Sequence, residues 1–116
     1  MIGSGFMAQF HIHSWQAVRD ADIRGIWSPN RQHAEAAAAL ARKVRAGDAQ
    51  AFPSIEAMVA DPAIDCIWIA GPNYARLENM ERIVAALGKG ATLAGVACEK
   101  PLGRNAAEAR RMVALV

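Results

Sequence analysis

Ile2-Gly3-Ser4-Gly5-Phe6-Met7-Ala8 is the stretch on which the reading of the fold turns. It has the form G-x-G-x-x-G/A, in which the glycines permit a tight turn and let backbone N–H groups approach a pyrophosphate at the start of a helix. Glycine-rich turns of this form also arise without any ligand, so its meaning depends on the segments that come after it in the chain. Those segments alternate between helix and strand. Phe6 to about Val18 has the pattern of a helix, and Ile23 to Trp27 that of a strand closed by Ser28-Pro29. Asn30 is placed to cap an Ala-rich helix running from Arg31 to about Arg45, which Gly47-Asp48 stops.

The second half continues the alternation. Ala49 to Phe52 is a weak strand, and Pro53-Ser54 opens a short helix, Ile55 to Ala60, which Asp61-Pro62 ends. Cys66 to Ala70 is apolar without alternation, as expected of a central parallel strand covered by helices on both faces. From Tyr74 to Leu87, the recurrence of Leu77, Met80, Val84 and Leu87 predicts a helix whose stripe faces the sheet. Thr92 to Cys98 is a further strand, and Asn105 with Glu108 forms a capping-box-like start to a last helix through Val116. The fold class that results is α/β, a Rossmann-type doubly wound parallel sheet, truncated at its first strand because only Met1 and Ile2 precede Gly3.

Composition narrows the function. The 116 residues fit one domain, and 53% of them are apolar, which excludes a disordered tail. No apolar run reaches the length of a membrane span. A net charge of +2 is far from the concentrated positive field that phosphate-backbone recognition needs, so neither nucleic acid nor membrane is an expected partner. Cys66 and Cys98 lie in apolar runs without metal-ligand spacing, which predicts reduced core thiols in a reducing, cytoplasmic compartment. His11 and His13, two residues apart on a helix, point in different directions, and no metal site is expected. Trp15, Trp27 and Trp68 are read as packing residues.

Three further groups carry chemistry. The strand ending near Trp27-Ser28 falls about twenty residues past the glycines, where such folds read the adenosine ribose. An Asp or Glu there favours NAD. Here Ser28, Asn30 and Arg31 offer a hydroxyl, an amide and a guanidinium, which suit a 2′-phosphate better and favour NADP weakly over NAD. The other reading of these residues is a turn and a helix cap with Arg31 solvated. Ala70-Gly71-Pro72-Asn73 and Glu99-Lys100-Pro101 both come after strands, at the ends that line the ligand crevice of an open α/β sheet. Lys100, an ammonium beside a carboxylate and pinned by a proline, is the candidate for proton chemistry.

The residues quoted, together with His11, Asp61-Pro62-Ala63-Ile64-Asp65, Ile67-Trp68-Ile69-Ala70 and Cys98-Glu99-Lys100-Pro101-Leu102, resemble the glucose-fructose oxidoreductase and inositol dehydrogenase family (Gfo/Idh/MocA) over essentially the whole chain. The resemblance implies nicotinamide-dependent hydride transfer to or from a carbinol of a sugar, polyol or related small molecule. It implies that Gly3, Ser4, Gly5, Phe6 and Met7 hold the pyrophosphate and that Gly71, Pro72 and Asn73 pack along the cofactor. It also implies that Glu99 and Lys100 reach the nicotinamide riboside, with Lys100 meeting the substrate hydroxyl, and that Pro101 shapes the turn, in some members through a cis bond. Two positions depart from the pattern: Gly71 stands for a Thr and Arg76 for a His.

In that family a second domain supplies most of the substrate pocket and usually the oligomer interface. The chain is therefore expected to be the nucleotide-binding fragment, residues 1–116, inactive alone and oligomeric only with that domain. Backbone groups of the strands ending at Trp27 and Ala70 are expected to lack partners, leaving a marginal fold. The competing class is a non-catalytic NAD(P)-binding sensor or scaffold.

Overall fold

Two residues at the start of the chain join the sheet. The computed structural model describes residues 1–115. In it β1 (Gly25–Ile26) pairs in parallel with β2 (Gln50–Ala51), and β3 (Cys66–Ile69) pairs in parallel with β4 (Gly95–Cys98). Ile2 bridges both halves, lying parallel to Trp27 on one side and Ile69 on the other. The spatial order is therefore β2, β1, Ile2, β3, β4. The Trp27 N–H donates to Met1 O at 3.0 Å and the Ala70 N–H to Ile2 O at 2.8 Å. Gly3 N–H and Ile2 N–H in turn reach Trp27 O at 2.8 Å and Trp68 O at 2.7 Å.

These bonds correct the expectation that Trp27 and Ala70 lose their partners. A parallel strand pairs through alternate residues, so one residue with its neighbours' amides satisfies both flanks over a short ladder. The unfilled part of the sheet lies further back. There a cavity of about 800 Å³ opens at the amino ends of the strands, lined by Ile23, Arg24 and Gly25 on one side and Asp65, Cys66 and Ile67 on the other. Cys66 is consequently exposed, in place of the expected core thiol, because this end of β3 opens on the cavity. Cys98 is half-buried, and both thiols are free.

Alternation along the strands divides the core into two layers. Met1, Ile26 and Ala70 face α1 (Phe6–Ser14) and α2 (Arg31–Lys43), packing with Ala8, Ile12, Ala34, Ala37, Ala38 and Ala41. Ile2 and Ile69, next to Met1 and Ala70 in the chain, face the other way with Ile67, toward α3 (Ile55–Val59), α4 (Asn73–Leu87) and α5 (Ala106–Ala114). Helices on both faces of a parallel sheet make the doubly wound arrangement expected of the sequence. Alanines on the buried face of α2 let it approach the sheet closely.

Local signals place most boundaries. Asn30 accepts from His33 N, Ser54 from Ala57 N and Asn105 from Glu108 N, each capping the helix it precedes. The first helix is shorter than expected. It ends at Ser14, and Trp15–Ala17 tighten into a 3₁₀ turn; the Trp15 indole N–H donates to Ala21 O at 2.8 Å. The strands are also shorter than the apolar runs, since β1 and β2 hold only two paired residues each. The last helix ends at Ala114, and Val116 lies outside the described residues.

The face of α4 differs from its predicted stripe. Arg76, Asn79, Met80, Ile83 and Ala86 are its buried residues, while Leu77, Val84 and Leu87 are only partly covered. The helix is rotated so that two polar side chains point inward, toward the loops at the carboxyl ends of the strands. On its outer side Arg82 makes a two-pronged bond to Glu56, at 2.6 and 2.7 Å, and lies over the Trp27 ring at 4.9 Å. The hydrogen bonds from Arg82 hold the Glu56 carboxyl down at about 2. This partly exposed pair ties α3 to α4 at the scale of ~1 kcal/mol.

Candidate functional site

The glycine loop and the loop after β3 meet at the point where the chain reverses its direction of winding. Gly3 adopts φ +118°, and a Cβ there would lie 2.9 Å from Gly71 N and 3.1 Å from Ala70 C. No residue with a side chain fits without moving backbone. Gly5, by contrast, has an ordinary φ of −77° and caps α1 without any side-chain hydrogen bond. A Cβ on Gly5 would meet nothing within 4 Å. The first amides of α1 therefore have no side-chain capping acceptor, and the space beside Gly5 is open. Such a terminus, with its positive dipole end and glycine approach, suits an anion such as a pyrophosphate. Ala8, the last motif position, is fully buried against the sheet.

Just past β1, Ser4 Oγ donates to Ser28 Oγ at 2.9 Å, joining the glycine loop to the turn before α2. Asn30 is occupied as the cap of α2. Arg31 Nε donates to Glu35 Oε1 at 2.8 Å, one turn along the same helix, and both side chains are more than half exposed. The turn-and-cap reading thus describes these residues as they stand. A carboxylate, Glu35, stands in the neighbourhood from α2, where the end of β1 supplies none. Between the starts of α1 and α2 a shallow cavity of about 460 Å³ is lined by Ser4, Gly5, Gln9, His33 and Leu40 among others.

Across the sheet, Pro72 caps α4 and Asn73 begins it, while Glu99, Lys100 and Pro101 continue β4. The Lys100-Pro101 peptide bond is cis. Glu99 is held twice: its N–H donates to Ile69 O at 3.0 Å, and its Oε1 lies 2.5 Å from His11 Nε2. The hydrogen bond from His11 holds the Glu99 carboxyl below its usual range. The His11 ring also packs on Trp68 at 4.6 Å. Burial pushes the neighbouring Cys98 thiol up. Lys100 is exposed at the mouth of the same crevice.

Arg76 links the two loops. It is 5% exposed, and its Nε donates to Gly71 O at 3.0 Å while Nη1 donates to Glu99 O at 2.7 Å and also to Pro101 O. In the sequence Arg76 stands out only as a departure from a His. Nothing local announces that it is buried, and the pairing of His11 with Glu99 spans 88 residues.

The glycine turn, the uncapped α1 and the crevice at the carboxyl ends of β1, β3 and β4 define a dinucleotide-binding α/β domain of the doubly wound class. The family model described as an oxidoreductase family with an NAD-binding Rossmann fold, Gfo/Idh/MocA, matches residues 1–116, and the chain belongs to that family. Among solved structures, myo-inositol dehydrogenase from Lactobacillus casei, in complex with NAD(H) and myo-inositol, superposes with a TM-score of 0.79 at 23% identity. That match covers 98% of this chain and 31% of that one. A levoglucosan dehydrogenase in complex with NADH and levoglucosan superposes at 0.71 with 27% identity, covering 99% of this chain and 30% of that one. An NAD-binding oxidoreductase from Klebsiella pneumoniae superposes at 0.68 with 27% identity over 98% of this chain and 30% of that one. The chain thus spans about three tenths of the length of these structures. No curated protein matches it. No helix among the described residues is long and apolar enough to cross a membrane.

Proposed function

We propose that the chain binds a nicotinamide dinucleotide across its crevice and contributes to hydride transfer at a carbinol or carbonyl of a sugar, polyol or related small molecule. The observation that carries this reading is the uncapped start of α1 behind an open Gly5, placed beside Gly71 and across the sheet from Glu99 and Lys100. The backbone of Gly3, Ser4, Gly5, Phe6 and Met7 holds the pyrophosphate. Ser28, Asn30 and Arg31 border the adenosine ribose, Gly71, Pro72 and Asn73 run beside the cofactor, and Glu99 orients its second ribose. When bound, the dinucleotide supplies the hydride acceptor or donor. Lys100 holds or releases the hydroxyl proton of the substrate, and its exposure at the crevice mouth lets it reach a molecule docked from outside.

The substrate pocket and any oligomer contact belong to a further domain of the length seen in the solved relatives. Titration of residues 1–116 with NADH, monitored by intrinsic fluorescence, tests the binding half of this reading. Saturable binding at micromolar concentrations is expected, and its absence refutes the reading. Lys100→Ala, made in a protein joining this chain to such a domain, is expected to lower kcat by about 10² or more while leaving the dinucleotide Kd near its original value. A changed Kd with kcat preserved makes Lys100 a binding residue instead.

The preference for NADP over NAD rests on Ser28 and Arg31, and both already have protein partners. Arg31 shares its charge with Glu35 through Nε, which leaves a 2′-phosphate a partly neutralised guanidinium, so the margin is small, less than about tenfold in Kd. Glu35→Gln is expected to widen it by freeing the guanidinium and removing a repelling carboxylate, by roughly 1 kcal/mol at this exposure. Arg31→Ala is expected to abolish it. Equal Kd values for the two dinucleotides in the wild type remove the preference altogether.

A further inference from the structure

Arg76 is a buried cation without an anion of its own. Its three hydrogen bonds all go to backbone carbonyls, those of Gly71, Glu99 and Pro101. No carboxylate stands within ion-pair distance of it among the described residues. A charge buried to 5% exposure is little screened by water, and its field reaches across the turn, where it helps His11 hold the Glu99 carboxyl below its usual range. The Glu99 carboxylate, which shares this turn, is hydrogen-bonded to His11 at 2.5 Å and makes no ion pair with Arg76. Lys100 adds a second cation on the same turn, at its exposed face. The other titratable group at this end of β4 is the Cys98 thiol.

The carbonyls that Arg76 grips form the floor of one half of the crevice. In a doubly wound sheet a dinucleotide lies across the switch point with its pyrophosphate at the first helix. The nucleoside on the β1 side is the adenosine, so the nicotinamide falls on the side of β3 and β4, above Gly71 and the 99–101 turn. The oxidised nicotinamide ring carries a positive charge and the reduced ring carries none. A fixed cation beneath that half of the site therefore discriminates between the two redox states, and not between two nucleotides of equal charge.

The geometry points to Arg76 as a specificity-determining residue that biases the crevice toward the reduced dinucleotide over the oxidised one. This rests on the dinucleotide reading given above and deepens it, since it states which form of the cofactor the resting site favours. A role confined to bracing the two loops would weaken every ligand alike. A role through charge changes the ratio of two affinities.

The test is calorimetric titration of residues 1–116 with NADH, NAD⁺ and ADP-ribose, in the wild type and in Arg76→Gln, which loses the charge while keeping an amide NH₂ as donor. Relative to the wild type, Arg76→Gln is expected to improve the affinity for NAD⁺ over that for NADH by about tenfold, the scale of one charge acting through a protein interior. Its affinity for ADP-ribose is expected to stay within about twofold. An unchanged ratio overturns the proposal and leaves the dinucleotide reading standing. Equal weakening of all three ligands shows bracing alone and also overturns it. Absence of binding by any of the three in the wild type overturns both readings together.

Should Arg76→Gln not fold, Arg76→His carries the same question, since its imidazole is charged at low pH and neutral at high pH. The variant's NAD⁺ preference over NADH is expected to rise between about pH 5.5 and 8, beyond any change shown by the wild type, in which His11, Glu99, Lys100 and Cys98 are retained. A pH dependence equal to that of the wild type overturns the proposal.

Discussion

Gly3→Ala is expected to destabilise the chain by about 2 to 5 kcal/mol and to remove dinucleotide binding at concentrations where the wild type saturates. Two costs combine. At φ +118° a residue with a Cβ is strained, by about 1 to 2 kcal/mol. The methyl would also sit 2.9 Å from Gly71 N, against backbone that is itself tied by Arg76 and by the Ala70 bond to Ile2. Pushing that backbone away adds about 1 to 3 kcal/mol, as overpacking does elsewhere. The control is Gly5→Ala. There the backbone is ordinary and the methyl meets nothing within 4 Å, so the thermal melt is expected to stay nearly unchanged while NADH binding weakens, because the methyl enters the space proposed for the pyrophosphate. Equal melting temperatures for Gly3→Ala and wild type would show that the two loops do not need to touch.

Between pH 8 and pH 5 the chain of residues 1–116 is expected to lose up to about 4 kcal/mol of stability. The Met1 amino group is buried and donates to Gly25 O at 2.6 Å, and desolvation lowers it from 8.0 to about 5. The unfolded chain binds a proton below about pH 8, whereas the folded chain resists doing so until about pH 5. The unfolded state therefore binds more protons across that window, and stability falls as the pH is lowered through it. Each tenfold change in proton affinity is worth about 1.4 kcal/mol. Against a domain stability of about 5 to 15 kcal/mol, this loss is large.

The measurement is urea unfolding at about pH 5, 6, 7 and 8, on the free-amine chain and on one acetylated at Met1. Acetylation removes the titrating group, so the slope across the window is expected to flatten. A slope that survives acetylation assigns the dependence to another group. Glu56 does not interfere, because its own contribution is lost only as the pH falls from the ordinary carboxylate range toward about 2.

Helix caps are open to direct reading from the chain. Asn30, Ser54 and Asn105 each accept a hydrogen bond from an amide three residues on, so residue type and short spacing suffice. The glycine turn, the order of strands and helices, and the positions of Gly71 and Glu99-Lys100 at strand ends are readable for a related reason. The doubly wound topology brings successive strand ends to one side whatever the side chains between them. Residue types alone do not show the state of Ser28, Asn30 and Arg31. By type Arg31 is an available guanidinium, and in the fold it stands paired with Glu35.

The remaining features depend on contacts that chain spacing does not encode. Cys66 is exposed despite its apolar neighbours, because burial is set by what stands opposite, and opposite it is a cavity. Leu77, Val84 and Leu87 yield the inner face of α4 to Arg76 and Asn79, because the carbonyls of Gly71, Glu99 and Pro101 converge there and require a donor. His11 finds Glu99 across 88 residues for the same kind of reason: the sheet brings their backbones together, and the paired groups then satisfy one another. Local alternation, caps and glycines specify the elements through bonds a few residues long. Which polar groups are enclosed at the crevice, and with what partners, is decided by the assembled sheet, since an unpaired donor or acceptor exists only once the strands are side by side.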